Sequence, residues 1–313
     1  MTAPGFEPGP TKQTVKNVYV ITTQYGQGRH ASGKDRILRF PAGRDTSTPN
    51  MIVGLPVAPS VGPAVSSRSG RIAFSLTNGE IEVRDRNLVK LYSIVAGFGS
   101  YGFPISLAYD HSGNLWVGGW LGTDMGELDE YYGDDTKPDN VYHIPNLYDD
   151  YPPYAVAFDE SDHLYVQGRF HVWTDCNTTS GCTNTTIPSF SNFLDEYFAY
   201  IAPMAVIGRA ESRQVVEATQ HDHIRYFSPT GRGTGGKWRF THRSQRCTEK
   251  RFMFIADISA DVDKTLYLTC EVLGAGTSGA GSARGASTIL ELYSDGHSNR
   301  ISGLTNPDGA GAF

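Results

Sequence analysis

The sequence predicts an all-β protein: a six-bladed β-propeller whose blades are four-stranded antiparallel sheets. Three observations lead to this prediction. Short strand patterns recur about every 50 residues along the chain. Turns rich in Asp, Gly and Ser separate alternating runs, as hairpins require. With 35 glycines and 17 prolines, the composition suits a turn-rich β protein and stays below the range of disordered chains.

Six strand patterns mark the repeat, and we assign each to the second strand of a blade. They begin at Asn17 (NVYVITT), Arg71 (RIAFSL), Asn114 (NLWVGG), His163 (HLYVQG), Gln214 (QVVEAT) and Thr265 (TLYLTC). A solenoid of helix pairs would instead show a 3.6-residue period. The repeats use most of the 313 residues. We therefore expect a flexible leader over residues 1–12 and a single propeller domain over residues 13–313.

The remaining strands follow from the same alternation. Blades 3, 4 and 6 begin with the runs 105–110 (ISLAYD), 154–159 (YAVAFD) and 254–258 (FIADI), and a short turn leads from each run into the second strand. Third strands are expected at residues 36–40, 80–84, 140–144, 223–227 and 288–293. These assignments place a four-stranded meander in each well-marked repeat.

Blade 1 has no innermost strand of its own, because its first pattern (NVYVITT) already matches the second strands. The C-terminal segment, residues 304–313, has no second strand after it. We expect this segment to pair with residues 18–23 and close the ring, which would remove the open sheet edges that favour aggregation.

Charge and hydropathy exclude two classes of partner. Lys and Arg number 27 against 33 Asp and Glu, for a net charge of −6, and no basic cluster interrupts that balance. Nucleic-acid binding usually needs a basic face, so we expect no nucleic-acid partner. No run of 18 apolar residues occurs, so we expect no membrane span.

The cysteines and nearby sequons favour passage through the secretory pathway, or an extracellular location. Cys176 and Cys182 flank a short loop that begins with the glycosylation sequon at Asn177, and a second sequon starts at Asn184. We predict the disulfides Cys176–Cys182 and Cys247–Cys270, since the second pair falls on one end of the propeller. The alternative is four free thiols in a cytosolic protein with sequons that arose by chance.

Loop lengths predict which end of the propeller carries the site. The long insertions (24–35, 118–139, 168–196 and 271–287) share one end, which we call the long-loop rim. The opposite end, with DHSG-type turns, is the short-turn face, where we expect little room. Ligand sites are usually built from long loops on a rigid scaffold.

The candidate site residues belong to this rim. As catalytic candidates, able to hold or donate to a substrate oxygen, we assign Arg169, Tyr154, Arg251 and His221. As substrate-binding candidates we assign Tyr25, Tyr101, Phe103, Trp120, His171, Trp173, Phe252 and Glu271. Aromatic groups there can bind an apolar molecule by area and stacking. The alternative for each residue is a structural role, either packing between blades or holding loops together. We expect Trp116 and Tyr165 to pack in the core.

Two further segments resemble sites but have simpler interpretations. The acid-rich stretch with Asp124, Glu127, Asp129, Glu130, Asp134 and Asp135 lacks the spacing of a calcium loop, and we expect a solvated surface loop. Residues 231–237 (GRGTGGK) lack the spacing of a phosphate-binding loop and predict a hairpin turn.

The phrases SLAYDHSGNLWVGG, AVAFDESDHLYVQG and ISADVDKTLYLTC resemble NHL repeats and the six-bladed propellers of the regucalcin–gluconolactonase and strictosidine-synthase-like group. The resemblance covers most of the chain as a repeat pattern and implies the fold. The regucalcin-like enzymes bind a divalent metal through Glu, Asn and Asp. In this chain residues 103–106 and 152–155 replace the Asn-bearing entries, and Cys270 stands at the Asp position. We therefore expect neither a metal nor another cofactor.

Four functions follow from the resemblance. The first is a metal-independent enzyme of specialised metabolism that acts on an apolar aromatic or terpenoid molecule. Its most specific form is the hetero-Diels–Alder reaction of a quinone methide with a terpene alkene, known from fungal propellers of tropolonic sesquiterpenoid biosynthesis. The alternatives are a non-catalytic ligand- or protein-binding propeller and a metal-dependent lactonase or phosphotriesterase. A strictosidine-synthase-like condensation would need a glutamate base, for which Glu271 is the nearest candidate.

Overall fold

The alternating runs of this chain form six four-stranded antiparallel sheets. The fold is described from a computed structural model. It covers residues 16–22, 35–98, 102–121, 126–143, 153–168, 172–177, 181–184, 204–209, 212–218, 223–229, 238–246, 253–261, 263–272, 287–304 and 307–312. The prediction of an all-β propeller with four-stranded antiparallel sheets is confirmed.

Each sheet is given in hydrogen-bonded order from its inner strand outwards. Sheet 1 contains β24 (Pro307–Ala312), β1 (Asn17–Thr22), β2 (Arg36–Pro41) and β3 (Met51–Gly54). Sheet 2 contains β4 (Pro59–Val65), β5 (Ile72–Leu76), β6 (Glu80–Arg84) and β7 (Lys90–Val95). Sheet 3 contains β8 (Phe103–Tyr109), β9 (Leu115–Trp120), β10 (Gly126–Tyr131) and β11 (Asn140–His143). Sheet 4 contains β12 (Ala155–Phe158), β13 (Leu164–Gln167), β14 (Val172–Asn177) and β15 (Gly181–Asn184). Sheet 5 contains β16 (Met204–Ile207), β17 (Gln214–Ala218), β18 (His223–Pro229) and β19 (Trp238–Arg246). Sheet 6 contains β20 (Met253–Ala260), β21 (Leu266–Val272), β22 (Ser287–Leu292) and β23 (Ser298–Leu304).

Apolar side chains pack between neighbouring sheets. Each pair of consecutive sheets encloses one cluster of buried hydrophobic residues. A further cluster joins sheet 6 to sheet 1, where Tyr267 and Ile289 pack with Val18 and Phe40. The two strand residues expected in the core, Trp116 (7% exposed) and Tyr165 (0%), are buried. The core therefore lies between the sheets, as the two-sided burial of the second strands requires.

The C-terminal strand completes sheet 1. Strand β24 pairs antiparallel with β1, with Val18 opposite Ala312 and Tyr19 opposite Gly311. The inner strands β24, β4, β8, β12, β16 and β20 contact one another in that cyclic order. The C-terminal segment thus lies beside the first strand pattern, where the sequence places it.

An aspartate organises the short turn between the inner and second strands of three sheets. In sheet 4, Asp159 Oδ1 accepts hydrogen bonds from the backbone N–H groups of Ser161 (2.8 Å) and His163 (3.0 Å), and Oδ2 accepts from the Tyr165 hydroxyl (3.3 Å). The matching aspartates of sheets 3 and 6 are Asp110 and Asp261. This Asp-centred turn explains the recurring phrases in which Asp precedes Trp or Tyr by six residues.

The same turn requires one residue with a positive φ angle. That residue is Gly113 (φ 89°) in sheet 3, Asp162 (62°) in sheet 4 and Lys264 (66°) in sheet 6. Glycine adopts this region without a steric cost, whereas Asp and Lys do so at some cost. The conformation is therefore a property of the turn and is not specific to one residue.

One strand assignment was wrong, in sheet 3. Residues 140–144 were predicted as the third strand, but β11 (Asn140–His143) is the outermost strand, and the third strand is the acid-rich β10. The acidic composition suggested a solvated loop. In the structure Leu128 and Tyr131 face the clusters on either side of the sheet, and this burial fixes the segment as a strand.

The carboxylates of β10 are therefore buried, contrary to the prediction for three members of the acidic stretch. Glu127, Asp129 and Glu130 are 7%, 0% and 5% exposed. Glu130 Oε2 accepts hydrogen bonds from the Tyr142 hydroxyl (2.9 Å) and from Asn140 Nδ2 (3.0 Å). These donors lie on the neighbouring strand β11 and make burial of the charge tolerable. Asp134 and Asp135 are exposed, as expected, and Asp124 lies outside the described residues.

Sheet 3 also contains a glycine that a larger residue cannot replace without movement. A Cβ atom on Gly119, in β9, would overlap the ring of Phe98, whereas a Cβ on nearby Gly97 would meet no atom within 4 Å. We expect Gly119→Ala to lower the free energy of unfolding by about 1–3 kcal/mol, the usual cost of overpacking. Urea denaturation measures the change, with Gly97→Ala as the control. Equal effects of the two substitutions would contradict the packing argument.

Candidate functional site

A cavity of about 780 Å³ lies between the inner strands of all six sheets. Its wall is formed by β4, β8, β12, β16, β20 and the last residues of β24. Most wall positions carry small or apolar side chains, including Ala64, Ala155, Ala157, Val206 and Ile258. The volume is in the range of pockets that hold drug-sized molecules. We call this space the axial cavity.

The end of the cavity on the long-loop rim is aromatic. Phe103 begins β8 and stands opposite Trp120, the last residue of β9. Their rings meet edge to face, with centroids 5.5 Å apart. Phe103 is 46% exposed, so its ring is available to a ligand. Tyr154, just before β12, lines the same end of the wall, and its backbone N–H donates to the Gln167 carbonyl at 2.8 Å.

The middle of the wall contains a few polar groups. Ser106 in β8 is buried, and its hydroxyl donates to the Pro153 carbonyl at 2.8 Å, which ties sheet 3 to the entry of sheet 4. Asp257 and Ser259 lie on β20 across the ring. A bulge between Ile255 and Asp257 shifts the register at this point. Bulges often redirect a side chain beside a functional site.

The short-turn end of the cavity carries charged groups. Asp110, His111, Glu160 and Asp261 all line it. The inner strands β8, β12 and β20 run from the long-loop rim to this end, so each group follows its strand directly. The sequence predicted little room on this face, and that prediction was wrong. The turns are short, but the axial cavity extends to the residues that follow the inner strands.

A hydrogen-bonded pair and an ion pair connect these groups across sheets. His111 Nδ1 lies 2.9 Å from Asp162 Oδ1, and the His111 backbone N–H donates to the same oxygen at 2.7 Å. Glu160 Oε1 lies 3.5 Å from Lys264 Nζ, yet this oxygen is buried and accepts no hydrogen bond. The first pair joins the turn of sheet 3 to the turn of sheet 4, and the second joins the turn of sheet 4 to the turn of sheet 6.

Three of the predicted site residues come together at the axial cavity: Tyr154, Phe103 and Trp120. Seven others lie outside the described residues: Arg169, Arg251, His221, Tyr25, Tyr101, His171 and Phe252. Trp173 and Glu271 lie in β14 and β21, where only the strand path is described. The functional roles assigned to all of these residues stay predictions.

The sequence analysis missed His111, Glu160 and Asp257. The first two directly follow the turn aspartates Asp110 and Asp159, within phrases that were assigned to hairpin turns alone. A charged or titratable residue at the same turn position in two neighbouring repeats was the available signal. Asp257 was part of a predicted inner strand, and a charge in such a strand was the signal there.

The cysteine predictions are tested only in part. Cys270, buried in β21, is disulfide-bonded. Cys247 lies outside the described residues, so the pairing of the two stays a prediction. Cys176 and Cys182 lie in the paired strands β14 and β15, next to the register pair Asn177–Gly181. The sequons begin at Asn177 and Asn184 in these strands, and glycosylation of either also stays a prediction.

The glycine-rich segment that was predicted as a hairpin turn connects β18 to β19. Pro229 of β18 pairs with Trp238 of β19, so residues 231–237 lie within a hairpin connection that is itself outside the described residues. Within the described ranges no three His, Cys, Asp or Glu side chains form a group that could hold a metal ion. No helix in that part of the chain is long and apolar enough to cross a membrane.

Comparison with known proteins shows the fold. No protein-family profile matches the chain, and no curated protein sequence matches it. A protein of unknown function from Bacteroides caccae has a TM-score of 0.62 at 12% identity, covering 96% of this chain and 99% of the other. A putative 6-phosphogluconolactonase from Bacteroides fragilis has a TM-score of 0.53 at 11% identity, covering 98% and 100%.

A third similar structure is an inactive variant of virginiamycin B lyase from Staphylococcus aureus with quinupristin. Its TM-score is 0.50 at 14% identity, and the match covers 93% of this chain and 85% of the lyase. Identities this low show a shared β-propeller fold and leave the activity of this chain to its own site.

Proposed function

We propose that this protein is an enzyme that binds a largely apolar small molecule in the axial cavity and acts on it by positioning. The observation that carries the proposal is a cavity of about 780 Å³ whose wall is mostly apolar and whose entrance is formed by Phe103 and Trp120. Aromatic rings bind flat or terpenoid surfaces by buried area and edge or face contacts.

Positioning alone can accelerate a reaction between two bound partners. Holding reactants in a near-attack geometry is worth up to about 7–11 kcal/mol of the barrier. A hetero-Diels–Alder reaction between an o-quinone methide and a terpene alkene is the specific form that we propose. It needs an apolar cavity and one hydrogen-bond donor to the heterodiene oxygen. The Tyr154 hydroxyl is the donor that we assign among the described residues, with Arg169, Arg251 and His221 as the further candidates.

Binding is the first property to test. We expect the neutral dye nile red to bind the protein with a rise in its fluorescence. Phe103→Ala and Trp120→Ala should each weaken binding by about tenfold, because each removes apolar contact area at the entrance. Leu91→Ala, which removes an apolar side chain on the outer strand β7 that is 48% exposed, should leave the affinity unchanged. Equal effects of the three substitutions would contradict a site in the axial cavity.

Catalysis is tested with an o-quinone methide generated in situ and a cyclic terpene alkene, with the adduct measured by mass spectrometry. The proposal expects adduct formation above the uncatalysed rate, and Tyr154→Phe should lower the rate more than it lowers affinity. Ligand binding without acceleration would favour the alternative, a non-catalytic ligand-binding propeller. In either case the axial cavity is the ligand site.

A further inference from the structure

We propose that the short-turn end of the axial cavity recognises a protonated amine, so that the bound molecule has an apolar body and a cationic head. This inference rests on the proposed function, because it assumes that the axial cavity binds a small molecule. It adds the chemical class of that molecule and its orientation. The apolar body lies toward Phe103 and Trp120, and the amine lies among the groups that follow the inner strands.

His111 offers the cavity a hydrogen-bond acceptor. A carboxylate oxygen can only accept hydrogen bonds, and Asp162 Oδ1 lies 2.9 Å from His111 Nδ1. The proton of the neutral ring therefore sits on Nδ1, and Nε2 is left as an acceptor. His111 lines the cavity, and its side chain is 39% exposed, so Nε2 is available to a donor on the ligand.

Glu160 supplies a carboxylate that can accept hydrogen bonds from an amine. Its Oε1 atom is buried and accepts no hydrogen bond, although Lys264 Nζ is 3.5 Å away. The side chain as a whole is 27% exposed, and a carboxylate forms strong charge-assisted hydrogen bonds with an ammonium group. Glu160 lines the same end of the cavity as His111. An ammonium group can donate three hydrogen bonds and so could serve both residues.

At this end of the cavity the carboxylates outnumber the lysines that the structure places beside them, Lys16 and Lys264. Asp110 and Asp261 also line this end. Lys16 Nζ donates to Asp261 at 3.0 Å and offsets its charge. The donors to Asp110 that the structure shows are neutral: the backbone N–H and amide of Asn114 and the indole of Trp116. Neutral donors do not cancel the charge of a carboxylate, so Asp110 attracts a cation to this end of the cavity.

The separation of the two ends sets the shape of the ligand. Strand β8 runs from Phe103 at the aromatic end to Tyr109, next to Asp110 and His111. At about 3.3 Å per residue, the two ends are roughly 20 Å apart. A molecule that reaches both must be elongated, with its amine at one terminus and its apolar surface toward the other.

The test uses three probes in which a hexyl chain joins a naphthyl group to an amine, an alcohol or a carboxylate. Their affinities are measured by calorimetry at pH 7. We expect the amine to bind about tenfold more tightly than the alcohol, as loss of a charged hydrogen bond would predict. The carboxylate should bind more weakly than the alcohol. Glu160→Gln should remove most of the preference for the amine and leave the affinity for the alcohol unchanged.

Glu80→Gln is the matched control. Glu80 and Glu160 are each 27% exposed, and each has one lysine nearby, Lys90 at 3.3 Å and Lys264 at 3.5 Å. Glu80 lies on β6, away from the axial cavity, so its substitution should change no affinity.

The outcomes separate the two proposals. Binding of all three probes with similar affinity, or a preference for the carboxylate, would overturn the amine inference and leave the cavity as a ligand site. An equal loss of amine and alcohol affinity in Glu160→Gln would overturn it as well. Failure of all three probes and of nile red to bind would overturn the proposed function, and the amine inference with it.

Discussion

Asp159→Ala is expected to destabilise the protein by about 3–5 kcal/mol, the cost of removing one partner from a buried charged network. The side chain of Asp159 is completely buried. It accepts the N–H groups of Ser161 and His163 and the Tyr165 hydroxyl, and it lies 3.7 Å from Nη1 of the buried Arg213. Alanine can accept none of these hydrogen bonds and carries no charge to face the guanidinium.

Chemical denaturation measures this loss, and two further variants identify its source. Asp159→Asn keeps an acceptor oxygen but removes the charge beside Arg213, so we expect an intermediate loss. Asp162→Asn, in the same turn, changes a side chain that is 41% exposed and replaces it with a residue that tolerates positive φ. Its effect should stay below about 0.5 kcal/mol. An Asp159→Ala protein as stable as the Asp162→Asn protein would refute the role of the buried turn aspartate.

Asp129→Asn is expected to stabilise the protein above pH 7 and to have little effect near pH 4. Burial, followed by the charge of Glu127, raises the pKa of Asp129 to about 7. The Tyr131 hydroxyl donates a hydrogen bond to Asp129 Oδ2 at 3.1 Å, which offsets only part of the rise in the pKa of Asp129. An asparagine oxygen can accept the same hydrogen bond and has no charge to bury.

The direction of the pH dependence follows from proton linkage. Below pH 4 Asp129 is protonated in both the folded and the unfolded chain. Between about pH 4 and pH 7 the unfolded chain releases the proton while the folded chain keeps it, so the contribution of this group to stability falls as the pH rises. Above pH 7 the loss is complete, and it amounts to about 4 kcal/mol if the whole shift is realised.

Urea denaturation of Asp129→Asn and of the unaltered protein from pH 4 to pH 8 measures this difference. The two stabilities should diverge steadily over this range, in favour of the variant. Asp135→Asn, which removes an exposed carboxylate a few residues away, should run parallel to the unaltered protein. A constant difference between Asp129→Asn and the unaltered protein at all pH values would show that Asp129 is ionised in the fold throughout.

The strand repeat and the turn aspartates could be predicted from sequence because they act locally. Asp159 bonds to backbone groups two and four residues ahead and to a side chain six residues ahead. Such contacts are present in any chain that forms the hairpin. The predicted second strands, with their alternating apolar residues, were found in the structure for the same reason.

The third strand of sheet 3 could not be predicted because its contacts are not local. Glu127, Asp129 and Glu130 have the composition of a solvated loop. The groups that make their burial possible are Tyr131 and, on the next strand, Tyr142 and Asn140. A sequence pattern can predict that a charged side chain is buried only when the residues that donate hydrogen bonds to it can also be identified.

Of the two ends of the candidate site, the sequence predicted the aromatic end and did not predict the short-turn end. Phe103, Trp120 and Tyr154 were assigned to the long-loop rim and do line the axial cavity there. His111 and Glu160 were missed because loop length was taken as the measure of available space. A short turn leaves little room between its own strands, but the cavity depends on the diameter of the ring.

The sequence by itself determined the period of the strands, the hairpin turns and the apolar faces, since each depends on residues within about ten positions of one another. The tertiary structure alone decided which side chains meet around the axis. His111 faces Asp162, and Glu160 faces Lys264. These contacts join separate sheets, and their geometry is fixed only when the sheets have packed around a common axis.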